Sequence, residues 1–184
     1  AIVIADAKRG DIGNTSRQYA RAILETMGCD AITISPYMGR NAIEPFLTDF
    51  EKGVFVLAMT SNDGAVEIQN DQNDVIPLYQ KVVKLANKLN ENDNIGLVVG
   101  ATQTDVMENI RKLSEGLSWL VPGVGAQGGD LQKSVSISNQ NGQGIINISR
   151  GILYAGDGSM DAIIKSAHQY TEQIREIICN PITC

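Results

Sequence analysis

The sequence predicts an α/β fold of parallel strands, a (β/α)8 TIM barrel of which this chain supplies about the last six βα units. Short β-branched apolar runs alternate with longer amphipathic stretches from end to end, as successive βα units require. Polar residues stand at the end of most runs: Asp6 and Lys8, Ser35, Thr60 and Ser61, Thr102, Gln127 and Arg150. Chemistry spread over many strand ends suits a barrel, whereas an open doubly wound sheet concentrates its ligand groups at one switch point. The opening residues Ala1 to Ala5 read as the inside of a strand, with no cap or turn before them. Residues 1–184 are therefore expected to form one barrel domain lacking its first two βα units. A six-stranded open α/β fold is the alternative.

Strands are expected at Ile2–Ala5, Ala31–Ile34, Val54–Met59, Ile95–Val99, Trp119–Val121 and Ile145–Ile148. The first helix has cap candidates in Asn14, Thr15 and Ser16 and an apolar stripe of Tyr19, Ala20, Ile23, Leu24 and Met27. Gly28 stops it. Further helices fit Ile76–Leu89, Thr104–Leu113 and Met160–Ile178, with weaker signals at Ala42–Thr48 and Leu131–Ile137. Several conspicuous residues get ordinary readings. Trp119 begins a strand and belongs to the core, His168 lies in the last helix away from any strand end, and Asp105 and Glu108 form a solvated helix face. Asp71, Asn73 and Asp74 lack the frame of a calcium loop.

Composition narrows the function classes. The chain is 43% hydrophobic and 20% charged, with a net charge of −6 and no basic run, which argues against a nucleic-acid-binding surface. A small anion is still compatible, because one or two placed cations can hold a phosphate. No run approaches 18 apolar residues, so no membrane segment is expected. Cys29, Cys179 and Cys184 have neither metal spacing nor an even-numbered disulfide framework, pointing to a reducing, cytoplasmic setting.

The chemistry concentrates in Ile2 to Thr15, IVIADAKRGDIGNT. Asp6 and Lys8, two apart on a strand, share a face at its C-terminal end. A carboxylate beside an ammonium keeps the lysine protonated and oriented, as proton donation to a developing carbanion requires. Asp11 follows after Gly10 has released the strand and is free to point elsewhere. The same residues would also make a plain salt-bridged strand end.

A second cluster suits an anion. Gly123, Gly125, Gly128 and Gly129 surround Gln127 after one strand, and Arg150-Gly151 follows the next. Glycines let backbone N–H groups approach an anion, and an arginine fork matches phosphate oxygens. Barrels often hold phosphate in the loops after their last two strands.

Asp6, Lys8, Asp11, Ile12 and Thr15 reproduce Asp-x-Lys-x-x-Asp-Ile-x-x-Thr, and here the chain resembles the orotidine 5′-monophosphate decarboxylase family. Met59-Thr60-Ser61-Asn62 is similar to the pyrimidine-reading segment of its longer, bacterial-type subgroup. Residues 30–39 and 96–102 look like the family's intervening strands. Val121-Pro122 through Gly129 resembles its phosphate-side loop, and Ser149-Arg150-Gly151 its last one. The resemblance implies cofactor-free and metal-free conversion of OMP to UMP and CO2 in pyrimidine biosynthesis. Asp6, Lys8 and Asp11 would be catalytic, and Ile12, Thr15, Ser61, Pro122, Gln127, Gly128, Arg150 and Gly151 would bind substrate. It also implies a homodimer in which Asp11 and Thr15 reach the neighbouring site, and a further lysine and aspartate on barrel strands outside these six. The rival enzyme reading is a Mg²⁺-dependent sugar-phosphate aldolase or decarboxylase sharing the Asp-x-Lys-x-x-Asp strand. It needs added carboxylates, and Ile34-Ser35-Pro36-Tyr37 offers none. The non-enzyme reading is a barrel piece that only binds nucleotide.

Overall fold

Six strands form one parallel sheet whose spatial order follows the chain, β1-β2-β3-β4-β5-β6. They are β1 (Ile4–Arg9), β2 (Ala31–Ile34), β3 (Gly53–Met59), β4 (Ile95–Val99), β5 (Ser118–Pro122) and β6 (Gly144–Asn147). The computed structural model describes residues 1–71, 73, 75–125 and 128–179. Asp74, Gln127 and Cys184, named above, lie outside them.

The helices are α1 (Gly13–Ala20), α2 (Arg40–Ile43), α3 (Ala65–Ile68), α4 (Leu78–Leu89), α5 (Thr104–Leu113), α6 (Leu131–Ser138), α7 (Arg150–Leu153) and α8 (Met160–Cys179). One face of the sheet meets them. Ile32, Ile34, Val54, Val56, Leu97, Val99, Trp119 and Val121 join the main core with helical residues such as Val83, Met107 and Ile110. The other face carries a separate, smaller cluster made only of strand residues: Ala31, Phe55, Val98 and Leu120, with Ile4 and Leu57 against them. A doubly wound sheet has helices on both faces and a reversal in strand order. Among the described residues this sheet has neither, and its inner face is lined by its own side chains, as in a barrel. Phe55 needs Gly96 beside it, since a Cβ there would lie 2.6 Å from the phenyl ring. β1 and β6 are the edges and the least buried strands.

Several expected boundaries move. β1 runs to Arg9 instead of ending at Ala5, so Asp6 and Lys8 lie within the strand. α1 begins at Gly13, ahead of the three cap candidates. Its N-cap is Ile12, which has no capping side chain, while the Ser16 hydroxyl donates to the Asp11 carbonyl. The helix continues as a π-helical turn, Arg21–Thr26, and ends at Gly28 with φ +70°. Ala20, Ile23 and Leu24 are buried, but Met27 is exposed because the wider turn rotates it off the stripe. α4 starts at Leu78, two residues late, because Pro77 occupies its N-cap. The weak signal at Ala42–Thr48 resolves into α2 and a 3-10 turn, Glu44–Phe46. His168 is exposed on α8, Asp105 and Glu108 are exposed on α5, and Trp119 is fully buried.

Arg111 ties the floor of the fold together, opposite the strand C-termini. It is 4% exposed and donates to the carbonyls of Ser114, Leu117 (3.0 Å) and Ser138 (3.2 Å). Its guanidinium lies 4.4 Å over the Trp119 ring. Burial lowers its pKa, partly countered by Glu115. Arg111→Met would keep the volume but remove the donor that the three carbonyls share, while the Ser114 carbonyl keeps only the Leu117 N–H at 3.1 Å. Urea unfolding should show a loss of about 2–4 kcal/mol.

Candidate active site

The C-terminal ends of the strands surround a cavity of about 500 Å³. Asp6 and Lys8 of β1 stand on one side, Ser61 and Asn62 after β3 on another. Pro122, Gly123 and Val124 after β5 and Asn147, Ser149 and Arg150 after β6 complete the rim. Leu57, Val98 and Leu120, from the inner-face cluster, make its apolar floor.

Lys8 pairs through Nζ with Asp6 Oδ1, and both side chains are about half exposed. Their placement depends on Thr33 of β2, which is fully buried. The Thr33 hydroxyl accepts from the Lys8 backbone N–H at 3.0 Å and donates to Asp6 Oδ1 at 2.9 Å. One side chain thus fixes the lysine by its backbone and the aspartate by its carboxylate. Lys8 has φ +46°, a left-handed conformation, where the register of β1 on β2 slips between Ala5 and Arg9. Burial pushes the Asp6 pKa up. The hydrogen bonds from Lys8 and Thr33 and the Lys8 charge outweigh it and hold the carboxyl below its usual range.

Ser61 reaches the rim because the β3 exit loop crosses directly over Gly100. A Cβ at Gly100 would lie 2.6 Å from the Ser61 nitrogen. Gln69 clamps that loop, accepting from the Thr60 N–H at 2.7 Å and donating to the Thr60 hydroxyl at 2.8 Å. The loop after β5 closes on itself: Gly129 N–H donates to the Gly123 carbonyl at 3.1 Å and Gly125 N–H to the Gly129 carbonyl at 3.0 Å. Gly128 belongs to this loop with φ +87°. Gly129 also lies where a Cβ would be 2.6 Å from the Ala101 Cβ. Arg150 opens α7 with its side chain exposed and makes no ion pair among the described residues.

The structure therefore brings Asp6, Lys8, Ser61, Pro122 and Arg150 to one cavity, with Gly128 and Gly151 in the adjoining turns. It does not bring Ile12 there. Ile12 is exposed and lines a separate depression with Gly13, Arg17 and Asn41. Asp11 bonds locally, accepting from the Ile12 N–H at 2.7 Å, and Thr15 is exposed on α1. Asn62 and Ser149 fall within motifs the sequence marked without a role of their own, and Thr33, Gln69 and Asn147 were missed. Thr33 reads as one more β-branched strand residue, and nothing in a single chain separates it from Ile32 or Ile34.

Over residues 1–163 the chain matches the orotidine 5′-phosphate decarboxylase / HUMPS family. The chain belongs to that family. An orotidine 5′-phosphate decarboxylase of Haloarcula marismortui is 48% identical, over 95% of this chain and 66% of the relative. The solved OMP decarboxylase of Leishmania donovani superposes with a TM-score of 0.88 at 35% identity, covering 97% of this chain and 69% of that one. The orotidine 5′-monophosphate decarboxylase of Methanocaldococcus jannaschii, complexed with the inhibitor BMP, gives 0.72 at 25% identity, covering 90% and 72%. The chain spans about two thirds of the length of the curated relatives it matches. Its six βα units are part of a (β/α)8 barrel, which settles the choice against an open six-stranded fold.

The lowered Asp6 pKa has a checkable sign. The Asp6 carboxylate stabilises the fold above the unfolded carboxylate range, and that contribution is lost as pH falls through its folded value. Thr33→Val should move the Asp6 carboxyl titration, followed by ¹³C NMR, upward toward the ordinary range, and Thr33→Ser should restore it. An unmoved titration in Thr33→Val would remove Thr33 from this role.

Proposed function

We propose that this chain carries the active site of an orotidine 5′-monophosphate decarboxylase, releasing CO2 and UMP in pyrimidine biosynthesis. The observation that carries the reading is the Asp6–Lys8 pair facing Arg150 across one cavity with an apolar floor. The substrate's phosphate would lie at Arg150, Gly128, Gly151 and Gln127. Its pyrimidine would meet Ser61 and Pro122, and its carboxylate would meet Asp6. Both Lys8 Nζ and the Thr33 hydroxyl bind Asp6 Oδ1, leaving Oδ2 without a protein donor among the described residues. Like charge at that oxygen disfavours the bound carboxylate and is relieved as CO2 leaves. The C6–carboxylate bond breaks, its electron pair stays on C6, and the Lys8 ammonium supplies the proton. Lys8 then recovers a proton from water. No cofactor enters this sequence. Phosphate binding remote from C6 contributes energy that the reacting centre can use.

The same reading extends to the neighbouring residues. Asp11, Ile12 and Thr15 turn away from this cavity, which suits a homodimer in which they reach the partner's site. The compartment is the cytoplasm. No helix among the described residues is long and apolar enough to cross a membrane. The Mg²⁺-dependent branch is not favoured, since β2 ends at Ile34 and the residues that follow it, Ser35, Pro36 and Tyr37, include no carboxylate.

UMP formation from OMP by the 184-residue chain is the direct test, and activity should persist in EDTA. Loss of activity with chelator would favour the metal-dependent branch, and nucleotide binding without turnover would favour a piece that only binds. Lys8→Ala should lower kcat by at least ~10²–10⁴-fold, the range of a positioned general acid, while UMP affinity stays within a few-fold. Arg150→Ala should instead raise KM, by roughly tenfold or more for a lost charge-assisted contact. Full turnover by Lys8→Ala would end the proton-donor assignment.

A further inference from the structure

α8 passes behind the anion side of the cavity, and two of its residues, one turn apart, reach the same glycine. Ser166 is buried and donates from Oγ to the Gly151 carbonyl at 2.9 Å. Tyr170 lies four residues on, so both side chains occupy one face of the helix and tilt toward its N-terminus. That tilt carries the Tyr170 ring under Gly151. A Cβ on Gly151 would lie 2.7 Å from the Tyr170 hydroxyl oxygen and 3.3 Å from its ring, so no other residue fits there without displacing the ring. The same hydroxyl is 3.7 Å from where a Cβ on Gly125 would stand. One phenol therefore sits between the glycine turn after β5 and the one after β6.

We infer that Ser166 and Tyr170 are positioning residues for the anion side, holding the Arg150–Gly151 turn against the glycine turn at residues 123–125 and so setting affinity for a nucleotide's phosphate without touching it. This rests on the reading of Arg150 as the phosphate ligand. The physical need is plain from α7. It has four residues, too few to hold itself by its own hydrogen bonds, and no residue in it is buried. Arg150 has no ion pair among the described residues to fix its side chain. The backbone from which the guanidinium springs is fixed from outside, by the Ser166 bond to the adjacent residue and the Tyr170 wedge beneath it. Without that support the turn would have to be ordered at each binding event, which lowers affinity for whatever it binds.

The test compares two probes on the full chain, UMP and uridine, by NMR titration of the wild type, Ser166→Ala, Ser166→Thr and Tyr170→Leu. Ser166→Ala and Tyr170→Leu should each weaken UMP by roughly three- to tenfold, the factor one net hydrogen bond corresponds to, while uridine is unchanged. Ser166→Thr keeps a hydroxyl and should bind UMP as the wild type does. Equal weakening of both probes would mean general loosening and overturn the inference, as would unchanged UMP affinity in both variants. A wild type that does not distinguish UMP from uridine would instead overturn the phosphate reading of Arg150 itself.

Discussion

The way β1 leaves the register of β2 decides how Asp6 and Lys8 are held at the mouth of this barrel. Ile4 and Ala5 pair with Ala31 and Ile32, but the next partner of Ile34 is Arg9, so β1 carries more residues over that stretch than β2. The surplus has to bulge, and Lys8 adopts a left-handed conformation that costs a non-glycine residue about 1 kcal/mol or more. Thr33 offsets that cost. Its buried hydroxyl accepts from the Lys8 amide, which the slipped ladder would otherwise leave unpaired, and donates its own hydrogen bond to Asp6. The bulge and the ion pair are thus one construction, and neither would be held in place without the neighbouring strand.

The electrostatics follow from position and not from net charge. A chain of net charge −6 repels anions at long range, yet its cavity sets the Lys8 ammonium on one side and, on the other, the Arg150 guanidinium, which has no ion pair among the described residues. The floor between them is Leu57, Val98 and Leu120, the side chains that fill the sheet's inner face. Packing that closes the interior therefore also removes polar groups and water from beneath the charges, where an electrostatic contact is worth more than in bulk solvent. Glycines serve this arrangement at close approaches. Gly96 admits the Phe55 ring into the inner layer, and Gly100 admits the loop that carries Ser61.

Much of this was legible in the sequence, for identifiable reasons. β2, β4 and α5 were readable because β-branched runs and helical periodicity agree with burial there. The C-terminal half of β1 was not, since Asp6 and Lys8 are poor strand formers, and the strand resumes beyond their bulge only through the pairing of Arg9 with Ile34. The start of α1 was misplaced because three capping residues compete in a row, and the backbone chose none of them. Within the site, charged residues and glycines announced themselves, and Asp6, Lys8 and Arg150 converge on one cavity. Thr33, Gln69, Ser166 and Tyr170 did not. Each acts through a partner 9 to 27 residues away, or on a different element, and a hydroxyl or amide in a regular helix or strand carries no local mark of such a contact.

The barrel's layout explains why those unmarked residues matter. A strand end can place a side chain to within its own rigidity, as β1 and β2 do for Lys8 and Asp6. The turns at residues 123–125 and 150–153 have no strand ladder of their own to lean on, and among the described residues their backbone bonds are local ones. The support must come from the next layer outward, and α8 is the twenty-residue helix that lies there. On the proposed reading, the parallel sheet would fix the reacting groups, while the outer helix would fix the turns that meet the far end of the substrate. That division separates the two tasks in the fold itself: one half of the cavity is built from the strand ladder, and the other is only as rigid as the face of α8 behind it.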